Sequence, residues 1–402
     1  MHSDSVCKTI VIAGAGYAGL HVAQRLGAWL QSSREWKIAL VDHHDYHQVL
    51  TELPHVAAGL RPEEKVRIPV SDVLPDNVEF SETEITGFDL ARPALLTNSG
   101  NMDFWRLVVA LGSRPNDFAI PGLAEHVLFM WSSDDAVTVR RAVEESVRKA
   151  AQTSLEEEQR RLLTVVIGGG GATGVELAGA FAEELPVMAR RYGANPALCT
   201  VVILDAGHTI LGDSSPELIA KAQEILAKLG VHVMTNSTIA EASDSGLKLK
   251  SGATIHGGTY IWAGGVKAPD LIRNSGLEIG YNGRIKVDRY LRAIDHPDVY
   301  AAGDVASVPD PSTGMALPPL AQTALAEGET VAQNINREAS KRDLEPFNYR
   351  QKGIVVSVGA HRGAATVSGV TFGGRLAHAL KEAIEWEYRQ SVQHLRGWSP
   401  TI

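Results

Sequence analysis

The fold of this chain is decided at its start, by residues 8–19, which read Lys8-Thr9-Ile10-Val11-Ile12-Ala13-Gly14-Ala15-Gly16-Tyr17-Ala18-Gly19. An apolar, β-branched run precedes three glycines, and apolar residues then recur at helical spacing over residues 20–26. This pattern predicts a buried parallel strand, a tight turn and a helix. Gly14 permits the turn, Gly16 lets the backbone approach a pyrophosphate, and Gly19 lets the helix lie close on the strand.

An acidic residue completes this first unit. A second apolar run, residues 37–41, ends at Asp42, which stands 23 residues after Gly19. A spacing of about 20 residues is expected for a carboxylate that binds the adenosine ribose of a dinucleotide. Strand, glycines, helix and acid together therefore predict a dinucleotide site.

The same arrangement recurs 155 residues later in the chain. Residues 163–167 form the predicted strand, and the glycine run is Gly169-Gly170-Gly171-Ala172-Thr173-Gly174. Its acid, Asp205, follows Gly174 by 31 residues, and an extension over residues 185–196 is expected to account for the longer gap. A carboxylate within about 4 Å of a 2′-phosphate costs on the order of 1 to 4 kcal/mol, so this site is predicted to prefer NADH to NADPH. Two dinucleotide sites in one chain are most simply those of a flavin enzyme that a nicotinamide reduces.

The remaining apolar runs predict how the two units interlock. Residues 107–111 end at Gly112, residues 259–265 mirror them, and residues 299–303 lead to Asp304 and would return the chain to the first unit. We therefore predict an α/β fold with two Rossmann-like dinucleotide-binding domains, the first discontinuous and the second inserted into it, plus a small C-terminal α+β region. The predicted boundaries are 1–115 with 290–340 for the first domain, 116–289 for the second and 341–402 for the C-terminal region.

Composition excludes several classes of function. The net charge of −9 over 402 residues offers no basic face for a nucleic acid. No run of about 18 apolar residues is present, and the first strand begins too early for a signal peptide, so a cytoplasmic location is expected. The two cysteines, Cys7 and Cys199, form no CxxC pair. Their spacing excludes the redox-dithiol flavoenzymes and argues against a sulfide-oxidising enzyme.

Three histidines follow the first acid, at His43, His44 and His47. Adjacent side chains at the end of a strand are expected to point apart, which does not suit a shared ligand. We therefore predict no metal site.

The motifs of the whole chain resemble those of the two-dinucleotide-binding flavoproteins, and within them the bacterial type II NADH:quinone oxidoreductases, which are single-subunit respiratory dehydrogenases that do not pump protons. Motifs common to many flavin reductases are the two glycine runs, Asp45-Tyr46-His47 with Leu53-Pro54, Ala110-Leu111-Gly112-Ser113, Trp262-Ala263-Gly264 and Tyr300-Ala301-Ala302-Gly303-Asp304. More specific are Leu320-Ala321-Gln322-Thr323-Ala324 with Gly328, and residues 374–388.

The resemblance implies non-covalent FAD at the first site and NADH as substrate at the second. The implied FAD-binding residues are Gly14, Gly16, Tyr17, Ala18, Gly19, Asp42, His47, Gly112, Asp304 and Ala321. The implied NADH-binding residues are Gly169, Gly171, Gly174, Asp205 and Gly264. Three residues are implied to be catalytic: Glu176 near the nicotinamide, Gln322 beside the flavin ring on the face that the quinone reaches, and Lys381, which completes the quinone pocket.

The electron acceptor stays open at this stage. Members of the family commonly carry two glutamines where this chain has Ala326 and Glu327, and a carboxylate near the acceptor would repel the negative charge that develops on it. One alternative is a soluble NADH-dependent flavin reductase or oxidase that acts on oxygen or a redox protein. Another is a slow-turnover, NADH-sensing flavoprotein that resembles the apoptosis-inducing flavoproteins.

The C-terminal helix has two alternative interpretations. Its apolar stripe comprises Leu376, Leu380, Ile384, Val392 and Leu395. Such a stripe predicts either a helix that lies on a membrane, here peripheral on the inner face of the cell membrane, or one that packs on the body of the protein. Membrane contact is favoured, and the same region is the expected contact of a homodimer.

Overall fold

The computed structural model describes residues 7–212, 214–310 and 314–393. In these ranges the helices are α1 Tyr17–Leu30, α2 Leu53–Ala58, α3 Leu123–His126, α4 Ser133–Gln152, α5 Glu156–Leu162, α6 Ala172–Tyr192, α7 Pro216–Lys228, α8 Ala321–Ala339 and α9 Arg375–Gln393. The strands form two parallel sheets and several small ladders. This arrangement is the predicted α/β class.

The first parallel sheet holds the opening strand of the chain at its centre. Its strand order is Val299–Ala301, Arg106–Val109, Lys8–Ala13, Trp36–Asp42 and Val78–Glu82. Every pairing in it is parallel. The last strand to join comes from residues 299–301, so the chain returns to its first sheet after it has built a second one.

The second parallel sheet repeats the order of the first in four of its five strands, and its edge strand Leu128–Phe129 comes from the start of the unit instead of from its end. Its strands are Leu128–Phe129, Thr259–Trp262, Thr164–Gly168, Thr200–Leu204 and His232–Met234. In both sheets the strand before the glycine turn is central, and the strand that ends in the acid lies next to it. Parallel strands buried on both faces need apolar residues throughout, which explains the continuous runs in the sequence.

Smaller ladders complete the fold. The antiparallel ones are Tyr46–Gln48 with Arg67–Pro69, Ile85–Asp89 with Ala94–Thr97 and Gly100–Asp103, Arg114–Pro115 with Val266–Lys267, and Ile239–Ser243 with Gly246–Leu249 and Thr254–Ile255. Ile285–Lys286 pairs in parallel with Ala306–Ser307. The C-terminal region is an antiparallel sheet of Gly353–Ser357, Gly363–Val367 and Val370–Gly374, on which α9 packs.

The longer gap before the second acid comes chiefly from a longer helix. Helix α6 has 21 residues where α1 has 14, and it continues through Pro186 to end at Gly193. Gly193 takes a left-handed conformation, which closes the helix without a steric cost. A short turn at Pro196–Leu198 then leads into the next strand. The extension expected over residues 185–196 is therefore helical for most of its length.

The polar segment between the two units is a pair of helices. Ser132 caps α4 through a reciprocal capping box with Asp135. Residues 153–155 are not helical and separate α4 from α5.

Helix α9 buries charge and exposes apolar side chains. Its buried residues are Ala377, Lys381, Glu385, Tyr388 and Val392. Leu376 and Trp386 are exposed to 67% and 65%. Of the stripe read from the sequence, Val392 faces the body and Leu376 faces outward, whereas Leu395 lies outside the described residues. The helix therefore packs on the body of the protein, and it leaves Leu376 and Trp386 uncovered by the described chain, whereas membrane contact stays a prediction.

Candidate functional site

The first glycine turn is shaped by three different steric demands. Gly14 has φ +106°, and a Cβ there would lie 2.3 Å from the carbonyl oxygen of Ala110. A Cβ on Gly19 would lie 1.9 Å from the oxygen of Gly14, so helix and strand could not approach as they do. A Cβ on Gly16 would meet nothing within 4 Å. The first and third glycines therefore hold the turn together, and the second keeps the space in front of the helix open.

Asp42 fixes this turn from the neighbouring strand. Its carboxylate accepts hydrogen bonds from the backbone N–H of Ala15 (2.6 Å) and of His44 (2.9 Å). Burial acts to raise the pKa of Asp42, but the hydrogen bonds from His43, Ala15 and His44 outweigh it and hold the pKa below its ordinary value. An ionised acid thus stands where a ribose carboxylate is expected.

A cavity of about 430 Å³ opens in front of the first turn. Of the residues expected to bind FAD, those that line the cavity are Gly14, Gly16, Tyr17, Ala18, Asp42, Gly112 and Asp304. Ser113 adds a further group, since its hydroxyl donates to Asp304 at 2.7 Å. An open glycine cradle, helix N–H groups and an acid for a ribose fit the adenine dinucleotide part of FAD. Gly19 and His47 support the cavity from behind, and Ala321 begins helix α8.

His47 holds aromatic side chains together behind the cavity. Its Nδ1 lies 2.9 Å from the oxygen of Ala15, and its Nε2 lies 2.7 Å from the hydroxyl of Tyr388 on α9. The ring of Tyr388 in turn stacks on Tyr17, with centroids 4.9 Å apart. Burial lowers the pKa of His47 to about 4, so the imidazole is neutral. His47 thus links the glycine turn to the C-terminal helix.

His43 and His44 do not point apart. Their ring centroids are 3.9 Å apart, because the chain bends directly after Asp42 and the side chains no longer follow strand alternation. His47 faces the other way, toward Ala15. Within the described residues, no group of three or more His, Cys, Asp or Glu side chains is arranged to hold a metal ion.

The second glycine turn has the same construction as the first. Gly169 has φ +114°, and a Cβ on Gly174 would lie 1.9 Å from the oxygen of Gly169. A Cβ on Gly171 would meet nothing within 4 Å. Asp205 accepts hydrogen bonds from the N–H groups of Gly170 (2.6 Å) and Gly207 (2.7 Å). The free space in front of α6 therefore fits a second dinucleotide.

Gly264 lies at the far side of this second turn. A Cβ there would lie 2.3 Å from the ring of Trp262, whose indole N–H donates to the oxygen of Asn116. The indole thus fixes the loop at the end of the strand Thr259–Trp262 in the position that Gly112 has in the first unit. Only a residue without a side chain fits against this ring.

Two of the three residues expected to be catalytic are in direct contact. Nζ of Lys381 on α9 lies 3.1 Å from Oε1 of Glu176 on α6, and Lys381 is only 8% exposed. Burial acts to lower the pKa of Lys381, but the charges of Glu176 and Glu385 outweigh it and raise that pKa above its ordinary value. Lys381 is therefore a buried cation between carboxylates.

Gln322 and Glu176 form hydrogen bonds with opposite ends of one strand, Gly353–Ser357. Its amide donates to the oxygen of Gly353 (3.0 Å), and the N–H of Ser357 donates to Glu176 (3.0 Å). Four residues of extended chain separate these two attachment points by about 13 Å. The strand Gly353–Ser357 thus connects the expected catalytic residues, which do not form a single contact cluster.

Glu327 does not stand where the sequence argument places it. Its carboxyl is 1% exposed and accepts a hydrogen bond from the N–H of Gly303 (2.6 Å), directly before Asp304. Burial raises the pKa of Glu327 to about 8, against the lowering effect of Gly303 and Arg284. The group is therefore mostly protonated at neutral pH. The expected repulsion of negative charge on an acceptor is wrong for this residue, because the side chain faces a backbone N–H and carries little charge.

The ionisation of Glu327 should reduce stability as the pH rises. Folded protein keeps the proton up to about pH 8, whereas the unfolded chain loses it near the ordinary carboxyl pKa. Stability should therefore fall through this window, by up to about 1.4 kcal/mol per pH unit. Glu327→Gln keeps an acceptor for the N–H of Gly303. It should remove the contribution of Glu327 to the fall in stability with rising pH. Melting temperatures measured across the window compare the two proteins, and equal slopes would contradict the assignment.

Some parts of the site carry no signal in the sequence. Glu52 is fully buried and forms ion pairs with Arg61 (2.5 Å) and Arg389. Glu385 stands one helical turn after Lys381 and lies within 3.3 Å of it. Only the Lys381–Glu385 spacing of four residues could have been read from the sequence. Glu52 and Arg61 stand nine positions apart, which is not a helical spacing, and Glu52 and Arg389 stand 337 positions apart.

Comparisons with known proteins agree with this geometry. Residues 8–328 match the family model described as pyridine nucleotide-disulphide oxidoreductase. A curated type II NADH:quinone oxidoreductase from Staphylococcus aureus is 30% identical over 382 residues, which cover 94% of each chain.

Solved structures share the fold. NDH2 from Plasmodium falciparum in complex with NADH has a TM-score of 0.85 at 18% identity, covering 95% of this chain and 94% of that one. The sulfide:quinone oxidoreductase from Aquifex aeolicus has a TM-score of 0.79 at 18% identity, covering 96% and 91%. At these identities the likeness concerns the fold alone.

Proposed function

Because the chain belongs to the pyridine nucleotide-disulphide oxidoreductase family, and within it to the type II NADH:quinone oxidoreductases, we propose that it oxidises NADH, reduces bound FAD and passes two electrons to a quinone. The observation that carries the proposal is the pair of matching glycine turns, each with an open second glycine and an acid on the next strand. One turn serves a resident cofactor and the other a substrate that exchanges.

FAD would be held at the first turn. Its pyrophosphate would lie in front of Gly16 and its ribose against Asp42, whereas Asp304 and Gly112 line the rest of the cavity. Tyr17 and Ala18 close the cavity at the start of α1, Ala324 of α8 also lines it, and Ala321 would contact the cofactor from the first turn of the same helix. When bound, FAD supplies the hydride-accepting and electron-donating ring. The domain boundaries 1–115 with 290–340, 116–289 and 341–402 remain part of this proposal.

NADH would be held at the second turn, by Gly169, Gly171, Gly174, Asp205 and Gly264. Asp205 should set the preference for NADH over NADPH, because its carboxylate would face a 2′-phosphate at close range. Asp205→Asn keeps an acceptor for Gly170 and removes the charge. We expect the ratio of kcat/KM for NADH to that for NADPH to fall by about tenfold. An unchanged ratio would remove Asp205 from the account of specificity.

The acceptor would approach the side where Gln322, Lys381 and Glu176 are linked by the C-terminal sheet. A quinone oxygen gains negative charge during reduction, and an amide donor and a buried ammonium are suited to stabilise it. Neither cysteine offers another route, since Cys7 and Cys199 are both free and form no disulfide that could accept electrons from the flavin. Electrons would therefore leave the flavin directly for a bound acceptor.

The test of this function is NADH oxidation by the purified, flavin-containing protein. Short-chain quinones should accelerate it well above the rate with dissolved oxygen alone. If oxygen or a redox protein supports the full rate and quinones add nothing, the flavin reductase or oxidase alternative is right. If NADH binds and turnover stays slow with every acceptor, the NADH-sensing alternative is right.

Helix α9 would hold the protein on the inner face of the cell membrane. Leu376, Ala379, Ala383 and Trp386 recur at helical spacing and are exposed together. Within the described ranges, no helix is both long and apolar enough to cross a membrane. Cosedimentation with lipid vesicles tests the contact, and Trp386→Ala should weaken it.

The C-terminal region would also contact a second copy of the chain in a homodimer. A monomeric mass in solution would contradict this homodimer.

A further inference from the structure

Glu385 is a buried carboxyl that the expected catalytic set does not include. It is 4% exposed and lies on the inward face of α9, one turn after Lys381. Nζ of Lys381 is 3.3 Å from its Oε1. Apart from this ion pair with Lys381, its carboxyl oxygens have no hydrogen-bond partner among the described residues. Buried polar groups are normally satisfied, so this exception calls for an explanation.

The charges around Glu385 favour a bound proton. The titratable or charged groups that act on it are Lys381 from its own helix, Glu176 from α6, Tyr17 from α1, Glu52 from the turn before α2, and Arg61 from the loop after α2. Glu52 is already paired with Arg61 and Arg389. Among the residues that the structure describes, Lys381 is the one cation in contact with both Glu176 and Glu385. Burial, with the charges of Glu52 and Glu176, raises the pKa of Glu385 to about 8 despite Lys381.

The proposed reaction needs one proton from solvent. NADH, one proton and a quinone give NAD⁺ and a quinol, so the hydride supplies two electrons and one of the two protons of the quinol. The second proton has to reach a site from which water is largely excluded. A buried acid next to the acceptor pocket is suited to this task.

We propose that Glu385 stores this second proton and passes it to the acceptor through Lys381. Lys381 gives a proton from Nζ to the quinone oxygen, so that an N–H bond breaks and an O–H bond forms. Glu385 then returns its carboxyl proton to the neutral amine, and the carboxylate is protonated again from solvent. Glu176 keeps Lys381 in place throughout, held by the N–H of Ser357. This inference rests on the proposed function.

The ion pairs around Glu52 and Arg61 lead from the buried cluster to the surface, where Glu385 would be protonated again by water. Arg61 bridges the buried Glu52 to Glu382, whose side chain is 40% exposed on the next face of α9. Water can therefore approach the cluster along this edge, whereas the opposite side is closed by the stacked rings of Tyr17 and Tyr388. Glu385 stands between the two.

The experiment compares two acceptors in Glu385→Gln. Ferricyanide takes electrons without protons, whereas a short-chain quinone takes both. We expect quinone turnover to fall by at least about tenfold and ferricyanide turnover to stay within about twofold of wild type. Glu157→Gln is the matched control, since it makes the same chemical change at an exposed position of α5 away from this cluster, and both of its activities should be unchanged.

The pH profile separates a proton-transfer role from a structural one. In wild type, quinone turnover should fall as the pH rises past about 8, because Glu385 is then ionised, and the ferricyanide rate should not follow. In Glu385→Gln the quinone turnover that remains should not fall further above about pH 8. Glu385→Asp, which keeps a carboxyl group, should recover part of the quinone rate. Equal losses with both acceptors, or no loss with either, would overturn the inference. Absence of quinone turnover in wild type would overturn the proposed function as well.

Discussion

Gly16→Val is expected to give a folded protein that is purified without flavin. A Cβ at Gly16 meets nothing within 4 Å, and its backbone is extended (φ −71°, ψ −169°), so valine fits the folded chain. Its methyl groups would fill the space in front of α1 that a pyrophosphate needs. We expect FAD affinity to fall by more than about tenfold, which corresponds to at least about 1.4 kcal/mol. The absorbance of the purified protein in the flavin region measures the result.

Gly171→Val is the matched control at the second turn. The geometry is equivalent, with nothing within 4 Å of a Cβ and φ −68°. This variant should keep its flavin and should be reduced by NADH only at much higher NADH concentrations. The pair of variants therefore assigns each turn to its ligand. Loss of flavin in Gly171→Val with retention in Gly16→Val would reverse the assignment.

Lys381→Met is expected to destabilise the protein strongly. The change leaves Glu176 and Glu385 buried without their cation, and breaking a buried ion pair by removing one partner costs about 3 to 5 kcal/mol. The loss should be largest at alkaline pH, where protonation of the carboxyls cannot relieve it. Thermal unfolding monitored by circular dichroism measures the change.

Two further variants make this prediction specific. Lys149→Met removes a surface lysine that lies 3.6 Å from Glu145, and it should leave the melting temperature almost unchanged because such pairs contribute little. Adding Glu176→Gln to Lys381→Met replaces one of the two carboxyls that lose their cation by a neutral amide and should restore part of the stability. If the double variant is less stable than Lys381→Met, the charge argument is wrong.

The units around the glycine turns could be predicted from the sequence because their information is local. The first strand is observed at Lys8–Ala13, as predicted, and the strand before the second glycine run at Thr164–Gly168, one residue later than the predicted 163–167. A turn needs a glycine with positive φ, and a buried parallel strand needs an apolar run, so both leave a pattern within about ten residues.

The acceptor side could not be predicted in the same way. Lys381 contacts Glu176 across 205 positions, and only the folded chain shows that an apparently solvated helix lysine is buried between two carboxylates. Glu327 was misplaced for a related reason. Its position in the sequence next to the Ala321-Gln322 segment says nothing of the side it faces, and α8 turns it toward Gly303.

The most direct test of the central claim is an anaerobic stopped-flow experiment on the two half-reactions. NADH should bleach the flavin absorbance of the purified protein, and a short-chain quinone added afterwards should restore it within the time of a turnover. Flavin that NADH reduces but that a quinone leaves reduced would contradict the assignment of the acceptor. Protein that carries flavin but is not bleached by NADH would contradict the assignment of the second turn.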